Sequence, residues 1–177
     1  MPNSIEVKYY DSPYGNLIIG SYEDKLCLCD WTFRKHRELI DSRIQKGLNA
    51  EYKEKTSDIV KSTISQLEEY FTKKRTEFDL PLLFVGTDFQ KQVWNALLGV
   101  PFGKIETYGG LSKRMNNPKA VRAVAAANGA NAISIIVPCH RIIGSNGQLT
   151  GYAGGLPAKK KLLELESLSK MPCLDLF

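Results

Sequence analysis

Short runs that mix apolar and polar residues fill the first 31 positions, a pattern typical of β-strands. The runs are IEVKYY at residues 5–10, LIIGSY at 17–22 and KLCLCDW at 25–31. DSPYGN separates the first two, and its proline and glycine suit a tight turn. The pattern therefore predicts three short strands at the N-terminus.

The apolar period changes to that of a helix at residues 57–73, which have a capping residue in front. The apolar stripe of this helix consists of Ile59, Ile64, Leu67 and Phe71. Residues 75–86, RTEFDLPLLFVG, then favour an extended connector, because Pro81 disfavours a helix.

A second helical region begins after residue 86. Residues 87–100 start with a Thr or Asp cap and predict a helix. Its apolar face consists of Phe89, Val93, Leu97 and Val100. The turn VPFGKI ends this helix, and TYGGLSKRM at residues 107–115 predicts a short second one.

A third helix is predicted at residues 116–128, NNPKAVRAVAAAN. Asn117 would be its cap and Pro118 its first residue, an arrangement favoured at helix starts, and Gly129 would end it. Two short helices joined by a tight turn resemble a helix-turn-helix.

The third helix has one side made of small residues, with Arg122 projecting beside it. The residues at i, i+3, i+4 and i+7 are Ala120, Ala123, Val124 and Ala127. Such a side suits a close helix–helix contact. It also suits close contact with a nucleic-acid groove, and the pattern alone leaves both interpretations open.

IIVPCHRIIG at residues 135–144 has the apolar character of a strand but contains Cys139 and His140. A cysteine in such a run is often only a buried packing residue. A nucleophilic cysteine needs a base, because the thiolate is the reactive form. On an extended segment, however, adjacent side chains point to opposite faces.

Charge is distributed unevenly along the chain. Residues 1–85 carry 13 Lys and Arg against 14 Asp and Glu, whereas residues 86–177 carry 11 against 5. The basic C-terminal part indicates a polyanionic partner, although a solvated lysine-rich face would have the same composition.

Cellular location and cysteine chemistry can also be predicted. No run approaches the ~20 apolar residues of a membrane span, and MPNSIEVKYY has no signal-peptide pattern. We therefore expect a cytoplasmic protein, or a nuclear one in a nucleated cell, with its four cysteines as thiols. Cys27 and Cys29 lie on one face of their strand without a second pair at zinc-ligand spacing, so we expect core or semi-buried thiols instead of metal ligands.

Pattern and charge change at the same place, which predicts two small domains in an α/β (α+β) chain. Residues 1–80 would form a sheet-and-helix support domain, residues 81–85 a connector and residues 86–170 a basic domain with the helix-turn-helix and the PCHR segment.

Five motifs in the C-terminal half occur together in one known family. They are TYG at 107–109, VRAVAAANGAN at 121–131, PCHR at 138–141, GYAGGL at 151–156, and Glu166. The sequence resembles the methylated-DNA–protein-cysteine methyltransferases, the O6-alkylguanine-DNA alkyltransferases. The resemblance implies an antiparallel, ribonuclease H-like N-terminal sheet with helices and a winged-helix, helix-turn-helix C-terminal domain.

The resemblance also implies direct reversal of DNA damage. O6-alkylguanine, and O4-alkylthymine, would be flipped out of double-stranded DNA, and the alkyl group would pass irreversibly to Cys139. His140 would be the base, acting through a water, and Glu166 would orient it. The thioether cannot be hydrolysed here, so each molecule would react once. No cofactor, metal, membrane or obligate protein partner is expected.

The family pattern assigns further residues to the substrate pocket and to DNA. The pocket would contain Tyr108, Asn131, Ile142, Tyr152, Ala153 and Gly154. The DNA-binding surface would contain Lys119, Ala120, Arg122, Ala123 and Ala127. Arg122 would fill the gap left by the flipped base, and the Ala153 amide would donate to O6. Carbonyls of Cys139 and Ile142 would accept from the guanine amine.

Two other functions are compatible with parts of this pattern. A non-catalytic relative that binds alkylated bases would lack the cysteine, whereas Cys139 is present. A helix-turn-helix transcription regulator of this family would carry an additional cysteine-rich zinc module, and the cysteines here lack that arrangement.

Overall fold

The structure, a computed structural model, describes residues 3–167, which fall into two compact units that divide after Thr87. The fold is α/β, as predicted: the first unit has a sheet and helices, and the second is mainly helical. Within the described part, no helix is long and apolar enough to cross a bilayer. Residues 168–170 of the predicted C-terminal domain, and Cys173, lie outside the described residues.

The first unit is a four-stranded sheet with two helices. Its elements are β1 (Ser4–Ser12), β2 (Gly15–Tyr22), β3 (Lys25–Trp31), α1 (Arg37–Leu48), β4 (Glu51–Glu54) and α2 (Asp58–Phe71). The predicted strands β1 to β3 are confirmed and pair antiparallel. β4 pairs parallel with β1, so the sheet is mixed rather than purely antiparallel. The sequence pattern missed α1 and β4, because α1 buries only Ile40 and Ile44, and β4 is mostly exposed.

Cys27 and Cys29 lie in β3, and both are buried thiols, which confirms the predicted core position. Burial raises the pKa of Cys27 to about 12. Burial, assisted by the nearby Asp30 charge, raises the pKa of Cys29 further. Neither thiol is therefore a nucleophile at neutral pH. Within residues 3–167, no three His, Cys, Asp or Glu side chains are grouped to hold a metal ion.

The helix predicted at residues 57–73 is α2, with Ser57 as its cap, but its buried face differs from the predicted stripe. The buried residues are Val60, Thr63, Gln66, Leu67 and Tyr70. The predicted stripe was wrong except at Leu67, since Ile59, Ile64 and Phe71 are only partly buried. Polar residues can join the buried face because their groups are paired: the Gln66 amide exchanges two hydrogen bonds with the Asp79 backbone.

The segment at residues 75–86 contains no helix, as predicted from the presence of Pro81. The Leu26 amide of β3 donates to the Pro81 carbonyl over 2.8 Å, and the Leu83 amide donates to the Leu26 carbonyl over 2.8 Å. The end of the first unit is thus attached to the edge of its own sheet.

The second unit contains the helix-turn-helix and the segment with Cys139. Its elements are α3 (Asp88–Leu97), β5 (Glu106–Thr107), α4 (Tyr108–Arg114), α5 (Val121–Gly129), a 3₁₀ helix (Cys139–Arg141), β6 (Ile142–Ile143) and α6 (Leu156–Glu166). α3 and α4 both pack against α5. The indole of Trp94 on α3 donates to the Ala127 carbonyl on α5 over 2.8 Å, which fixes this contact inside the core.

α5 begins at Val121, four residues after the predicted cap. The prediction of Asn117 as the cap and Pro118 as the first helical residue was wrong. The Asn117 carbonyl accepts from the Ala120 amide and from the Ser112 hydroxyl, so these residues form the turn between α4 and α5. The predicted stop is correct, because α5 ends at Gly129.

Candidate active site

The segment at residues 135–144 is not one continuous strand, as its apolar character predicted. It contains a turn at Ile135 and Ile136 and a 3₁₀ helix at Cys139–Arg141, and it forms a strand only at β6 (Ile142–Ile143). Ile135 has a φ of 72°, in the left-handed region that β-branched residues avoid. Pro138 has no N–H to donate to a neighbouring strand, and the chain turns at Cys139–Arg141 into a 3₁₀ helix.

Asn131 lies behind this turn and is almost completely buried. Its Oδ1 accepts from the Ile133 amide over 2.9 Å. Its Nδ2 lies 3.0 Å from the Val137 carbonyl oxygen and 3.2 Å from the Cys139 Sγ. One side-chain amide therefore fixes the turn that follows α5 and supplies a hydrogen-bond donor to the thiol.

The 3₁₀ conformation changes the expected relation between Cys139 and His140. Successive side chains of a 3₁₀ helix are about 120° apart, because the helix has about three residues per turn. The two side chains therefore do not point to opposite faces, as the extended interpretation predicted. Both are buried within the second unit.

His140 is held by Glu166, the last residue of α6. The His140 Nε2 lies 2.7 Å from Glu166 Oε1. The Arg141 Nε donates to Glu166 Oε2 over 2.8 Å, and Arg141 Nη2 donates to Oε1 over 2.9 Å. The same guanidinium donates through Nη1 to the Val100 carbonyl over 2.6 Å. The structure thus brings His140, Arg141 and Glu166 into one buried charged cluster.

The cluster fixes the protonation of His140. Burial alone would raise the pKa of Glu166, but its interactions with His140 and Arg141 outweigh burial and lower the pKa well below the usual range. An ionised carboxylate only accepts, so His140 Nε2 carries the hydrogen. Burial lowers the pKa of His140 despite the Glu166 charge, so the ring is neutral at neutral pH. Nδ1 then carries the lone pair, and it has no hydrogen-bond partner among the described residues.

Arg141 and Lys159 have no role that was predicted from the sequence. Lys159 is completely buried, and its Nζ donates to the carbonyls of Ile142 and Thr150 over 2.5 and 2.9 Å. The signal for Arg141 is its position in an apolar run, where a charged residue must be paired. Lys159 lies in a triplet of lysines, and nothing in the sequence distinguishes it from its neighbours.

Tyr108 is brought to the Cys139 segment by the pairing of β5 with β6. It is the first residue of α4, and the Thr107 hydroxyl caps the helix by accepting from the Gly110 amide over 2.9 Å. Burial raises the pKa of Tyr108, so its phenol keeps its proton at neutral pH.

The loop before α6 approaches the same cluster. The ring of Tyr152 lies edge-on to His140, with 6.5 Å between ring centroids. Ala153 and Gly154 are half-buried in a turn that the Gly155 amide closes by donating to the Tyr152 carbonyl over 2.9 Å. Of the predicted pocket residues on this loop, Tyr152 therefore lies next to His140.

The small-residue side of α5 is divided in the structure. Val124 and Ala127 are buried in the helical core, whereas Ala123 and Arg122 are exposed. The helix–helix interpretation therefore holds for the inner positions, and the predicted DNA contact of Ala127 was wrong because Ala127 is buried in that contact. Ala120, at the start of the helix, is partly buried. Lys119 lies exposed in the preceding turn.

Comparison with known proteins identifies related sequences for both units. The model of the 6-O-methylguanine DNA methyltransferase ribonuclease-like domain matches residues 5–84, and that of the DNA binding domain matches residues 88–168. The methylated-DNA–protein-cysteine methyltransferase of Mycobacterium leprae is 42% identical over 98% of this chain and 99% of its own. The methylated-DNA–protein-cysteine methyltransferase of Methanosarcina acetivorans is 44% identical over 89% of this chain and 95% of its own.

Solved structures agree with these relatives. Mycobacterium tuberculosis OGT in complex with DNA has a TM-score of 0.78 and 38% identity, over 91% of this chain and 92% of that one. Mycobacterium tuberculosis O6-methylguanine methyltransferase has a TM-score of 0.77 at the same identity, over 92% of each chain. Since both family models match in order and relatives align over nearly their whole length, the chain belongs to the 6-O-methylguanine DNA methyltransferase family, the methylated-DNA–protein-cysteine methyltransferases.

Proposed function

We propose that this protein repairs O6-alkylguanine in double-stranded DNA by transferring the alkyl group to Cys139. The observation that carries the proposal is the neutral His140, whose Nε2–H donates to an ionised Glu166 and whose Nδ1 is a buried acceptor. A histidine in this tautomer is ready to take a proton from the neighbouring thiol, directly or through one water. Arg141 holds Glu166 in the ionised form that this tautomer requires.

The proposed reaction is a displacement at saturated carbon. The Cys139 proton passes through a water to His140 Nδ1, and the thiolate attacks the alkyl carbon. The S–C bond forms while the C–O6 bond breaks, and guanine keeps that electron pair and takes up one proton. The Asn131 amide near Sγ stabilises the thiolate. The thioether is stable here, so each molecule reacts once.

Recognition of the base is proposed to come from backbone groups around Cys139. The Cys139 carbonyl already accepts from the Ile142 amide, and the Ile142 carbonyl accepts from Lys159. A carbonyl has two lone pairs, so each keeps one for the exocyclic amine of guanine. The Ala153 amide would donate a hydrogen bond to O6. The Tyr108 phenol, which keeps its proton, would donate one to a ring nitrogen of the guanine. O4-alkylthymine presents the same alkyl–oxygen bond and is a proposed second substrate.

DNA is proposed to dock on α5. Arg122 and Ala123 form its exposed side, and Lys119 adds a cation in the turn before it. The relative solved with DNA supports this class of partner. The base must leave the stack to be reached, and Arg122 would fill the gap. Residues 1–80 would support this domain without taking part in the chemistry, and no other protein is required.

Intact-mass spectrometry tests the proposal directly. After incubation with an excess of duplex carrying one O6-methylguanine, we expect each molecule to gain one methyl group, in a single burst. Peptide mapping should place the methyl on Cys139 and not on Cys27 or Cys29, whose pKa values are raised by burial. Repeated turnover, a methyl on another cysteine, or binding without mass change would contradict it.

Base flipping is tested separately by Arg122→Ala. We expect this change to slow repair of O6-methylguanine in duplex DNA and to leave reaction with the free base nearly unchanged. The reason is that unstacking costs a few kcal/mol, which an inserted side chain partly compensates, whereas a free base needs no extrusion. Single-turnover rates on both substrates decide the outcome. Equal losses on both would mean that Arg122 supports the fold or the pocket.

A further inference from the structure

The turn at residues 101–104, between α3 and β5, is not part of the proposed pocket but contacts the charged cluster of the candidate active site. The Lys104 amide donates to the Pro101 carbonyl over 3.1 Å and closes the turn. Gly103, its third residue, has a φ of 75°, in the left-handed region that favours glycine. Ending a helix requires no contact with a distant site, so the contacts of this turn call for another explanation.

The turn holds Arg141 in two ways. The carbonyl of Val100, directly before the turn, accepts from Arg141 Nη1 over 2.6 Å. The Phe102 ring lies against the same guanidinium, with 5.9 Å between Arg141 Cζ and the ring centroid. An aromatic ring attracts a cation placed over it, and most strongly where water is excluded. With Glu166 bound to its other edge, the Arg141 side chain is only 8% exposed.

The same turn approaches the backbone of Glu166. A Cβ added to Gly103 would lie 3.0 Å from the Glu166 carbonyl oxygen, closer than side chains normally approach a backbone atom. Glycine is therefore required here twice, by its positive φ and by this close approach. Glu166 is thus held at both ends, because Arg141 binds its carboxylate and the turn packs against its carbonyl.

The Glu166 carboxylate decides which nitrogen of His140 carries the hydrogen. Its Oε1 lies 2.7 Å from His140 Nε2, while Nδ1 has no hydrogen-bond partner among the described residues. In a neutral imidazole, the hydrogen bond made by one nitrogen determines which of the two is protonated. If the carboxylate were displaced, part of the His140 population would carry the hydrogen on Nδ1. That nitrogen could then not accept a proton.

We propose that Phe102 and Gly103 are positioning residues for the reaction, which hold the charged cluster so that His140 keeps Nδ1 as the acceptor. Phe102 acts through Arg141. Gly103 acts through the backbone of Glu166. The proposal rests on the proposed function, because the position of this hydrogen matters for alkyl transfer only if His140 is the base.

Variants of Phe102 test the contribution of the ring. Phe102→Leu removes the ring and keeps an apolar side chain, whereas Phe102→Tyr keeps the ring and should behave as the unchanged protein. Phe78→Leu is the matched control, because Phe78 is also half-buried and packs beside another ring, in the first unit. It removes the same atoms without touching the site.

Gly103→Ala tests the close approach of the turn, because the added Cβ meets the Glu166 carbonyl at a residue with a positive φ. Gly147→Ala is the matched control. Gly147 has a φ of 79°, and beyond its chain neighbours no atom of residues 3–167 lies within 4 Å of an added Cβ. The control therefore has the same backbone strain without the contact. Thermal melting would establish that each variant is folded.

The first measurement is the tautomer of His140, read from the ¹⁵N chemical shifts of labelled histidine side chains. The chain contains two histidines, and His36→Gln assigns the two rings. In the unchanged protein we expect a protonated Nε2 and an unprotonated Nδ1. Phe102→Leu and Gly103→Ala should each add a population with the hydrogen on Nδ1, and the controls should not. An unchanged His140 spectrum in either variant would overturn the role of that residue.

The second measurement is the single-turnover rate with the free O6-methylguanine base. A misplacement of 1 Å can cost about 10²-fold, and the shifts here are smaller, so we expect Phe102→Leu and Gly103→Ala to be about tenfold slower. Phe102→Tyr and both controls should keep the rate of the unchanged protein. Equal losses in the controls would mean that the variants act through stability, and would overturn the proposal.

The tautomer is measured without substrate or DNA, so a failure of the proposed function would leave the first measurement intact. Each residue also has its own variant and control. A variant that did not fold would therefore leave the other residue as the test.

Discussion

Cys139→Ala is expected to abolish alkyl transfer from O6-methylguanine and to leave affinity for duplex DNA unchanged. Cys139 is the one described thiol adjacent to a histidine, the proposed base His140, while Cys27 and Cys29 lie in the core of the first unit with raised pKa values. No described cysteine can therefore replace it. Affinity for DNA should persist because the proposed contacts come from the exposed side of α5.

Cys27→Ala is the matched control, since it removes a thiol from the first unit without touching the site. It should keep full stoichiometry of methyl transfer to Cys139. Electrophoretic mobility shift with undamaged duplex would measure affinity, and intact-mass spectrometry would measure transfer. If Cys139→Ala still accepts methyl groups, even slowly, another group must be the acceptor.

His140→Ala is expected to slow transfer by about 10²- to 10⁴-fold, the usual contribution of a general base. The loss should be the same on duplex DNA and on the free O6-methylguanine base, because proton removal from Cys139 is needed in both. Arg122→Ala, by contrast, is expected to slow only the reaction with duplex DNA. A loss confined to duplex DNA would assign His140 to DNA binding instead of proton transfer.

The pH dependence of the unchanged protein gives a second measure of His140. The base works only when neutral, so the rate should fall as pH drops through the His140 pKa, which burial places below its ordinary value. Glu166→Gln removes a charge that raises this pKa, so the acid limb should move to still lower pH. The rate on the plateau should fall as well, because a less basic imidazole removes the proton less effectively.

Local patterns predicted most of the elements and the buried positions Val93, Leu97 and Val100 of the helix predicted at residues 87–100, but not the buried face of α2. β1 to β3, α2, α3 and α4 were predicted from period and turn residues, which are local properties. The buried face of α2 was missed because Gln66 is buried by pairing with the distant Asp79 backbone. The start of α5 was missed because the Asn117 carbonyl accepts a hydrogen bond from the Ser112 hydroxyl of the preceding helix. This contact places Asn117 in the turn between the two helices.

The candidate site was predicted in part. The motif around Cys139 indicated His140 and Glu166 through the resemblance, and the structure places these two 2.7 Å apart. Arg141 and Lys159 were not predicted, since their importance depends on burial and on partners 25 and 17 residues away along the chain. The 3₁₀ helix at Cys139 was also missed, because an apolar run with one proline has the local sequence pattern of an extended segment.

The position of Glu166 at the very end of α6 has a consequence for local opening of the protein. Helix ends fray first, and a negative charge at a C-terminus is disfavoured by the helix dipole. Arg141, which donates to both Glu166 oxygens and is itself anchored on the Val100 carbonyl, is what opposes this fraying. Opening of only the last turn of α6 would release the imidazole of His140 from its orienting carboxylate. The protein would then lose its reactivity while the rest of the domain remained folded.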